Sequence, residues 1–471
     1  MLKYWNKMLS RSLVRLSKRW QLKSQLHDLK FWNLRANNKN HIEVNGLDTV
    51  DLIENYGSPL LVVNRKQLLM DIQDLIKPIS SAPSGSKVLY SYKTNCIPGI
   101  LREIHNLGIG AEVISAYELW LAEKLGVPAN MIVFNGVNKT DESIMRAINM
   151  KILAINIDHW AEIDRIYRLA KQLDKKVRVG IRLGMTQDQF GLEIESGEAI
   201  EACKRIISYD DHLDLACLHF HVTSNAKNAS YHKSCALRAL KLMYQIGVET
   251  GVTIPYLDIG GGFGVPTTKT MSRAEYGIYR LFGCPPRPPT LRDCQPIDLF
   301  LSEIINSMNK FCLKNNLPMP KILIEPGRFI TSRSEFLLVQ VHVIKTKKDG
   351  TLFAISDAGR LSSTFPCDYE YHEIFVANRA NDRMNQIYNI MGRICTSADW
   401  MVKNRYLPDL QSGDILAVMD AGAYFSSNSS NFSFPRPGIV MVSDGKSSVI
   451  RKHETFDHLI AMDVLKAPSK G

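Results

Sequence analysis

The chain has 471 residues and a formal net charge of +11, but the positive excess is concentrated at its start. Residues 1–24 carry seven Lys or Arg and no acidic residue, and the rest is near balance, so the composition gives no case for nucleic-acid binding. Nine cysteines without paired spacing are typical of a reduced, cytoplasmic protein, and no apolar run approaches the ~20 residues of a membrane span.

The first predicted element is a basic amphipathic helix within an N-terminal extension over residues 1–44. Gaps of three and four residues place its apolar side chains on one helical face: Leu2, Trp5, Leu9, Leu13, Leu16 and Trp20. Three interpretations compete: a helix packed on the body of the protein, an organelle-targeting helix, and a surface for an acidic partner. We favour the first, because amphipathic helices are usually docked. The lead-in region that follows, 45–86, contains one strand at 58–64 that is a candidate to pair with the C-terminal domain.

From residue 87 the sequence alternates between short β-rich runs and helical patterns. Eight β-rich runs follow one another: KVLYSYK, GAEVIS, MIVFNG, ILAINID, VRVGIRLG, LACLHFHV, YLDIGGGFG and KILIEPGR. This alternation predicts a parallel (β/α)8 barrel over residues 87–334. Runs such as EFLLVQVHVIK and GDILAVMDAGAY then predict antiparallel strands, so the fold class is α/β, a (β/α)8 barrel followed by an all-β domain over 335–460.

Polar residues stand at the ends of the predicted barrel strands, where the catalytic residues of such barrels lie. They come from strands one, two, five, six, seven and eight: Lys93, Glu112, Arg182, His221, Gly260–Gly262, Glu325 and Arg328. Each has a structural explanation when taken alone, such as a snorkelling lysine, a satisfied core histidine or a tight glycine turn. Their convergence on one rim favours a functional site.

The chemistry of this rim suits pyridoxal 5'-phosphate. The glycines of GGGFG at 260–264 let backbone N–H groups approach an anion, and Arg328 adds positive charge, which predicts a phosphate site. A partly buried Lys93 amine can react with an aldehyde. Glu325 would pair with a protonated ring nitrogen, and His221 would stack on the ring. We therefore predict pyridoxal 5'-phosphate bound to Lys93, and no metal site.

The same segments resemble the fold-type III pyridoxal-phosphate decarboxylases, the diaminopimelate and ornithine decarboxylase family, over residues 45 to 445. YSYKTN looks like the family's Schiff-base motif, and HFHVTSN looks like the segment with the ring-stacking histidine. DIGGGFG resembles the phosphate loop, and EPGRFI resembles the segment whose glutamate pairs with the pyridine nitrogen. GRICTSAD resembles the Cys-to-Asp motif that this family inserts into the partner subunit's active site, and GAYFSS resembles the segment with a phosphate-contacting tyrosine. The resemblance implies an amino acid decarboxylase.

Carried over by position, the resemblance also assigns residue roles. Cys395 is implied to be the proton donor after CO2 leaves, and it would come with Asp399 from the other subunit of a homodimer with two shared sites. The implied catalytic residues are Lys93, His221, Glu325, Cys395 and Asp399. The implied cofactor-binding residues are Lys93, Glu112, Arg182, His221, Ser224, Gly260, Gly261, Gly262, Glu325, Gly327, Arg328 and Tyr424.

Two departures from the family pattern concern the substrate. Thr396 follows the motif cysteine where diaminopimelate decarboxylases have a glutamate. Phe365 stands where they have an arginine for the distal carboxylate, and Arg360 lies five residues earlier. We therefore predict a divergent member of the specialised-biosynthesis type, acting on a small amino acid or derivative that is not free meso-diaminopimelate. The alternative is a substrate bound to an acyl or peptidyl carrier protein.

Two other points stay open in the sequence. An insertion at 265–296, rich in proline and arginine, is either a lid or docking surface or a tolerated surface insertion. A racemase would share the barrel and the lysine but usually has an arginine beside the ring nitrogen, where this chain has Glu325. A catalytically inactive regulatory homologue is the alternative from another class, and the retained Lys93, His221 and Cys395 argue against it.

Overall fold

The computed structural model describes residues 2–464, with side chains from residue 8 onward. Contacts divide the chain into two compact units, which we call the barrel unit and the β unit. The barrel unit comprises Leu69–Val265 and Arg292–Ile330, and the β unit comprises Met1–Leu68, Pro266–Leu291 and Thr331–Gly471. Over residues 2–464, no helix combines the length and apolar character needed to cross a bilayer.

The barrel unit contains eight parallel strands, which we number β1 to β8. They are β1 Lys87–Ser91, β2 Gly110–Val113, β3 Ile132–Phe134, β4 Ala154–Ile157, β5 Val177–Gly184, β6 Leu213–His219, β7 Tyr256–Asp258 and β8 Lys321–Ile324. Each strand pairs with its neighbours in chain order, and β8 pairs with β1, so the sheet closes. A two-residue strand, Leu192–Glu193, extends the pairing of β5. Every strand coincides with one of the predicted β-rich runs, and the (β/α)8 prediction is confirmed.

A helix follows each barrel strand, although the last is a single turn. In order these are Pro98–His105, Ala116–Lys124, Asp141–Met150, Trp160–Gln172, Glu198–Ile207, Ser230–Thr250, Ile297–Lys314 and Arg328–Thr331, with Arg65–Ile79 preceding β1. Side-chain caps start two of them soon after their strands: Ser115 accepts from the Glu118 N–H at 3.1 Å, and Thr140 accepts from the Ser143 N–H at 3.2 Å. Short links of this kind leave the residues that follow each strand at the barrel rim.

A nine-stranded sheet dominates the β unit. Its strands are Leu60–Asn64, Glu335–Thr346, Leu352–Ser356, Ile374–Val376, Gln386–Met391, Trp400–Leu407, Ile415–Val418, Gly438–Ser443 and Lys446–Arg451. Leu60–Asn64 pairs antiparallel with Glu335–Thr346 and parallel with Gly438–Ser443, so the predicted pairing of the early strand with the C-terminal domain is confirmed. Smaller elements of the unit include strands Arg35–Ala36, Ile42–Val44 and Leu47–Asp48, and helices Thr49–Tyr56 and Phe456–Ile460.

Most of the predicted insertion belongs to the β unit. Its strand Lys269–Thr270 pairs with Glu370–Tyr371, and its helix Arg273–Phe282 starts with a capping box formed by Ser272 and Glu275. The insertion is therefore an ordered part of the unit, with its own secondary structure.

The N-terminal helix, Leu2–Leu22, packs on the β unit with only part of the predicted apolar face, since Leu13 and Trp20 are half-buried. Leu9 and Leu16 are 48% and 49% exposed, whereas Ser17 and Gln21 are buried. Gln21 donates to the Asn404 carbonyl at 3.2 Å and accepts from the Tyr406 N–H at 2.9 Å. The reason is that Trp400–Leu407 is an edge strand, and a glutamine satisfies its unpaired backbone groups better than a leucine would. The predicted apolar side chains of Leu2 and Trp5 lie outside the described side chains.

Candidate active site

Lys93 lies at the rim directly after β1, in the short turn Tyr92–Thr94. Its Nζ donates to Glu112 Oε2 at 3.1 Å, and its side chain is 34% exposed. Glu112 is fully buried on β2 and also accepts from the Ser91 hydroxyl. A buried carboxylate therefore fixes the position of an amine that remains accessible.

Glu325 is the buried carboxylate that follows β8. Its Oε1 accepts from Asn135 Nδ2 at 2.5 Å, and its Oε2 lies 3.5 Å from His219 Nε2. Burial acts to raise the pKa of Glu325, but the interactions of its carboxylate with His219 and Lys93 outweigh burial and hold this pKa below its usual range. The carboxylate is therefore ionised, as pairing with a protonated ring nitrogen requires.

Asp258, the last residue of β7, is fully buried beside this glutamate. Its Oδ1 accepts from the Gly260 N–H at 2.9 Å. Burial, and then the negative charge of Glu325, raise the pKa of Asp258 far above its usual range. Polar atoms of His219, Asp258 and Glu325 lie within 4.8 Å of one another, so two acids and one imidazole share a small buried volume. With Asp258 protonated, the two acids together carry one negative charge.

The glycine run after β7 forms a tight loop against its neighbours. Gly260 and Gly262 have φ of +67° and +79°, which side chains rarely adopt. A Cβ at Gly261 would collide with the Glu325 carbonyl, and one at Gly262 would collide with the Thr223 carbonyl. The close passage of these carbonyls therefore requires glycine at both positions, and phosphate binding by the loop's backbone stays a prediction.

His221 stands in the loop after β6, beside the glycines. Its Nδ1 accepts from the Gly261 N–H at 3.4 Å. Burial, followed by the positive charge of Lys93, lowers the pKa of His221 to about 3, so its ring is neutral at neutral pH. A neutral imidazole can stack on a cationic pyridine ring without charge repulsion. Ser224, three residues further on, is exposed in the same loop.

The predicted arginines occupy two sides of the barrel. The guanidinium of Arg182 on β5 lies 4.3 Å from the Phe190 ring centroid and 3.4 Å from Asp158. Arg328 is buried at the start of the single-turn helix after β8. Gly327 precedes it, and a Cβ there would collide with the Thr94 hydroxyl in the turn that carries Lys93.

These residues fit pyridoxal phosphate. The glycine loop and Arg328 would hold the phosphate, Glu325 the ring nitrogen, and Lys93 the aldehyde carbon, as the sequence predicted. When bound, the cofactor supplies an electron sink for the negative charge left as CO2 departs. The chain's own contribution is to keep Glu325 ionised, His221 neutral and the Lys93 amine accessible.

Three predicted site residues belong to the β unit. Cys395 is exposed and lines a cavity of about 580 Å³. Asp399 is buried, and its two carboxylate oxygens accept backbone N–H groups of Leu361 at 3.1 Å and Ile394 at 3.0 Å. Asp399 therefore braces the loop that carries Cys395, and a direct catalytic role for it stays a prediction. Tyr424 has a φ of +71°, in the left-handed region.

Sequence reasoning missed four polar residues of the rim: Asn135, Asn156, His219 and Asp258. Two of them stand inside motifs that were recognised, HFHV and DIGGG, but only the better-known positions of those motifs received a role. Asn135 directly follows β3, and Asn156 is on β4. The rule that strand ends carry chemistry would have found Asn135 had it been applied to strand three.

Comparisons with known proteins show the family to which the chain belongs. The family described as pyridoxal-dependent decarboxylase, pyridoxal binding domain, matches residues 69–332. A diaminopimelate decarboxylase of Methanocaldococcus jannaschii is 30% identical over 90% of this chain and 94% of its own, and one of Aquifex aeolicus is 28% identical over 88% and 94%.

Solved structures give the same result. The diaminopimelate decarboxylase of M. jannaschii in complex with L-lysine has a TM-score of 0.81 at 29% identity, covering 92% of this chain and 98% of that one. A lysine/ornithine decarboxylase of Vibrio vulnificus complexed with putrescine shares the fold, with a TM-score of 0.68 at 21% identity over 84% and 97%. The chain belongs to the pyridoxal-dependent decarboxylase family, and it is a pyridoxal-phosphate-dependent amino acid decarboxylase.

Proposed function

We propose that this decarboxylase acts on an amino acid or derivative whose far end is not a free carboxylate. The observation that carries the proposal is that Arg360 is already paired with another side chain of this unit. Arg360 is the arginine nearest in sequence to position 365, where the family has an arginine for the distal carboxylate. Its Nη2 donates to Asp368 Oδ2 at 2.9 Å, and its guanidinium carbon lies 5.4 Å from the Phe365 ring centroid. Asp368 is buried, so solvent screens this ion pair little.

The insertion supplies further partners to the same aspartate. Arg280 Nη1 donates to Asp368 Oδ1 at 3.0 Å, and the Tyr276 hydroxyl approaches Oδ2 at 3.4 Å. Turning Arg360 toward a substrate carboxylate would break one of these buried contacts, and breaking a buried charged pair costs about 2–5 kcal/mol. Arg360 is therefore poorly suited to replace the arginine that the family has at position 365.

The competing candidate is diaminopimelate, the substrate in the names of the similar proteins. The decisive experiment measures kcat/KM for CO2 release from diaminopimelate, ornithine, lysine and carrier-loaded amino acids. We expect diaminopimelate not to rank first. If it does, Arg360 reaches the distal carboxylate and the proposal is wrong.

Phe365→Arg tests the same point by gain of function. Restoring a charged partner worth about 2 kcal/mol should raise kcat/KM for diaminopimelate about 30-fold. Phe432→Arg is the matched control, because Phe432 is 55% exposed in the same unit and the substitution adds the same charge away from position 365. Equal effects of the two variants would mean that position 365 does not contact the substrate's far end.

A carrier-bound substrate is the second candidate, and the exposed face of the N-terminal helix favours it. Arg11, Arg15 and Arg19 are exposed, and none pairs with an acidic side chain within residues 8–464. Arg11 and Arg15 also line a groove of about 690 Å³ beside the insertion. Since carrier proteins are generally acidic, this positive face would steer them.

Replacing the three arginines with glutamate should lower kcat/KM for a carrier-loaded amino acid at least tenfold at low salt and leave kcat/KM for the free amino acid unaffected. Equal losses for both would count against a carrier.

We also infer a homodimer with shared active sites. The support is the exposure of Cys395 on a loop that Asp399 braces, together with the resemblance of this loop to the segment that the family inserts into its partner. Mixing subunits that each lack one of the two catalytic side chains, Lys93 or Cys395, tests this inference, because activity returns only if one site draws on both chains.

A further inference from the structure

The buried amide of Asn135 lies between two carboxylates of the active site. Its Nδ2 donates to Glu112 Oε1 at 3.2 Å and to Glu325 Oε1 at 2.5 Å. Asn135 is only 5% exposed. An amide nitrogen carries two hydrogens, so each carboxylate receives one, and the donor is fully used.

The orientation of this amide is fixed from its other side. Asn156 Nδ2 donates to Asn135 Oδ1 at 2.7 Å, which leaves only the NH2 group to face the two carboxylates. Asn156 is held in turn, because its own backbone carbonyl accepts from the buried Lys139 Nζ at 2.7 Å. Its side chain packs over Gly180 of β5, where a Cβ would collide with it. The sequence therefore places a glycine where this relay needs space.

We propose that Asn135 is a positioning residue that holds the carboxylates of Glu112 and Glu325 side by side at the rim by donating one N–H to each, without neutralising either. Two carboxylates this near to one another repel each other, and a neutral donor that bonds to both holds them together without adding a further positive charge to that of Lys93. Glu112 needs its charge to hold the Lys93 ammonium, and Glu325 needs its charge for the ring nitrogen. A neutral donor with two hydrogens meets both needs.

This inference depends on the cofactor chemistry of the family and not on which amino acid is the substrate. Asn135→Leu tests it by keeping the branched shape of the side chain while removing both donors. Asn135→Asp keeps the shape but substitutes an acceptor, which either adds a third negative charge or, when protonated, offers a single donor. The measurement is the dissociation constant of the cofactor-free protein for pyridoxal phosphate between pH 6 and pH 9, together with the visible absorption of the bound cofactor.

We expect Asn135→Leu to weaken cofactor binding about tenfold or more at every pH. The variant loses two hydrogen bonds to charged carboxylates, and such bonds are stronger than those between neutral groups. Asn135→Asp should bind progressively more weakly as pH rises, since ionisation of the new acid works against the charge of Glu325. Asn149→Leu and Asn149→Asp are the matched controls, because Asn149 is exposed on the helix that follows β3. The controls should bind like the unaltered protein.

The proposal is overturned if both Asn135 variants bind within twofold of the unaltered protein over the whole pH range. It is also overturned if the leucine and aspartate variants show the same pH profile, because residue 135 would then act through packing alone. Should the Asn135 variants fail to fold, Asn156→Leu takes their place, since Asn156 donates to Asn135 but to neither carboxylate. That variant should show a smaller loss in the same direction, and no loss would refute the relay.

Discussion

Asp258→Asn should leave the cofactor-free protein at least as stable as the unaltered chain at neutral pH. In the fold, Asp258 accepts from the Gly260 N–H at 2.9 Å and is buried next to the ionised Glu325. Burial and that neighbouring charge raise the pKa of Asp258 far above its usual range, so we expect the native carboxyl to be protonated at neutral pH. An asparagine has the same shape as the protonated acid, can accept from the same N–H and can donate to Glu325.

The sign of the pH dependence follows from proton binding. In the unfolded chain an aspartate loses its proton near pH 4, whereas the folded chain keeps this one to much higher pH. The native state therefore binds one more proton over that window, and its stability falls as pH rises, by about 1.4 kcal/mol per pH unit. Asparagine has no such proton to bind. The free energy of unfolding of the variant, minus that of the unaltered protein, should therefore increase by the same amount per pH unit.

Urea unfolding of the two cofactor-free proteins at pH 5, 6, 7 and 8 measures this difference. Asp214→Asn is the matched control, because Asp214 lies exposed on β6, and its difference from the unaltered protein should not grow in this way. The free energy of unfolding of Asp258→Asn, minus that of the unaltered protein, could instead stay constant or decrease as pH rises. Either result would show that Asp258 is ionised in the folded protein. The cluster would then carry two negative charges.

Three further outcomes test the roles of the site residues. Borohydride reduction followed by peptide mapping should place the pyridoxyl group on the peptide that contains Lys93, and a label on another lysine would contradict its assignment. Glu325→Gln should lower kcat at least tenfold with little loss of cofactor occupancy, because the carboxylate acts on electron withdrawal while other groups retain the phosphate; equal losses would indicate a structural role. Mixed and reassembled Lys93→Ala and Cys395→Ala subunits should regain up to about a quarter of full activity if sites are shared, and no recovery despite subunit exchange would place both residues in one chain's site.

The sequence predicted the barrel well because its signals are local and repeated. Each strand is a short apolar run, each is followed by a helical pattern, and parallel strands bring all their ends to one rim. Lys93, Glu112 and Glu325 could therefore be grouped from the order of the strands alone. The early strand Leu60–Asn64 was also correctly related to the C-terminal domain, from its β-rich composition and its position outside the barrel repeat.

The errors and omissions come from features that are not local. The docking face of the N-terminal helix depends on an edge strand that lies some 380 residues away in sequence. Gln21 hydrogen-bonds to the backbone of that strand and is buried, whereas Leu16 stays exposed. The protonation of Asp258 depends on a neighbour from another strand, so the letter D gives no indication of it. Likewise, the bracing contacts of Asp399 become visible only when two separate loops are seen together.

The sequence motifs reveal the charged residues of the site, whereas neutral residues that bond to them can fall outside the motifs. The recognisable motifs supply the ionised groups, Lys93 and Glu325, whose chemistry the cofactor dictates. Neutral residues such as Asn135 stand behind them, and its amide donates to Glu112 and Glu325 without adding charge to either. Replacing a residue of this kind by one without the same donors should therefore disturb the site although every charged group is retained. The neutral donors behind the charged groups belong to the active site as much as the motif residues do.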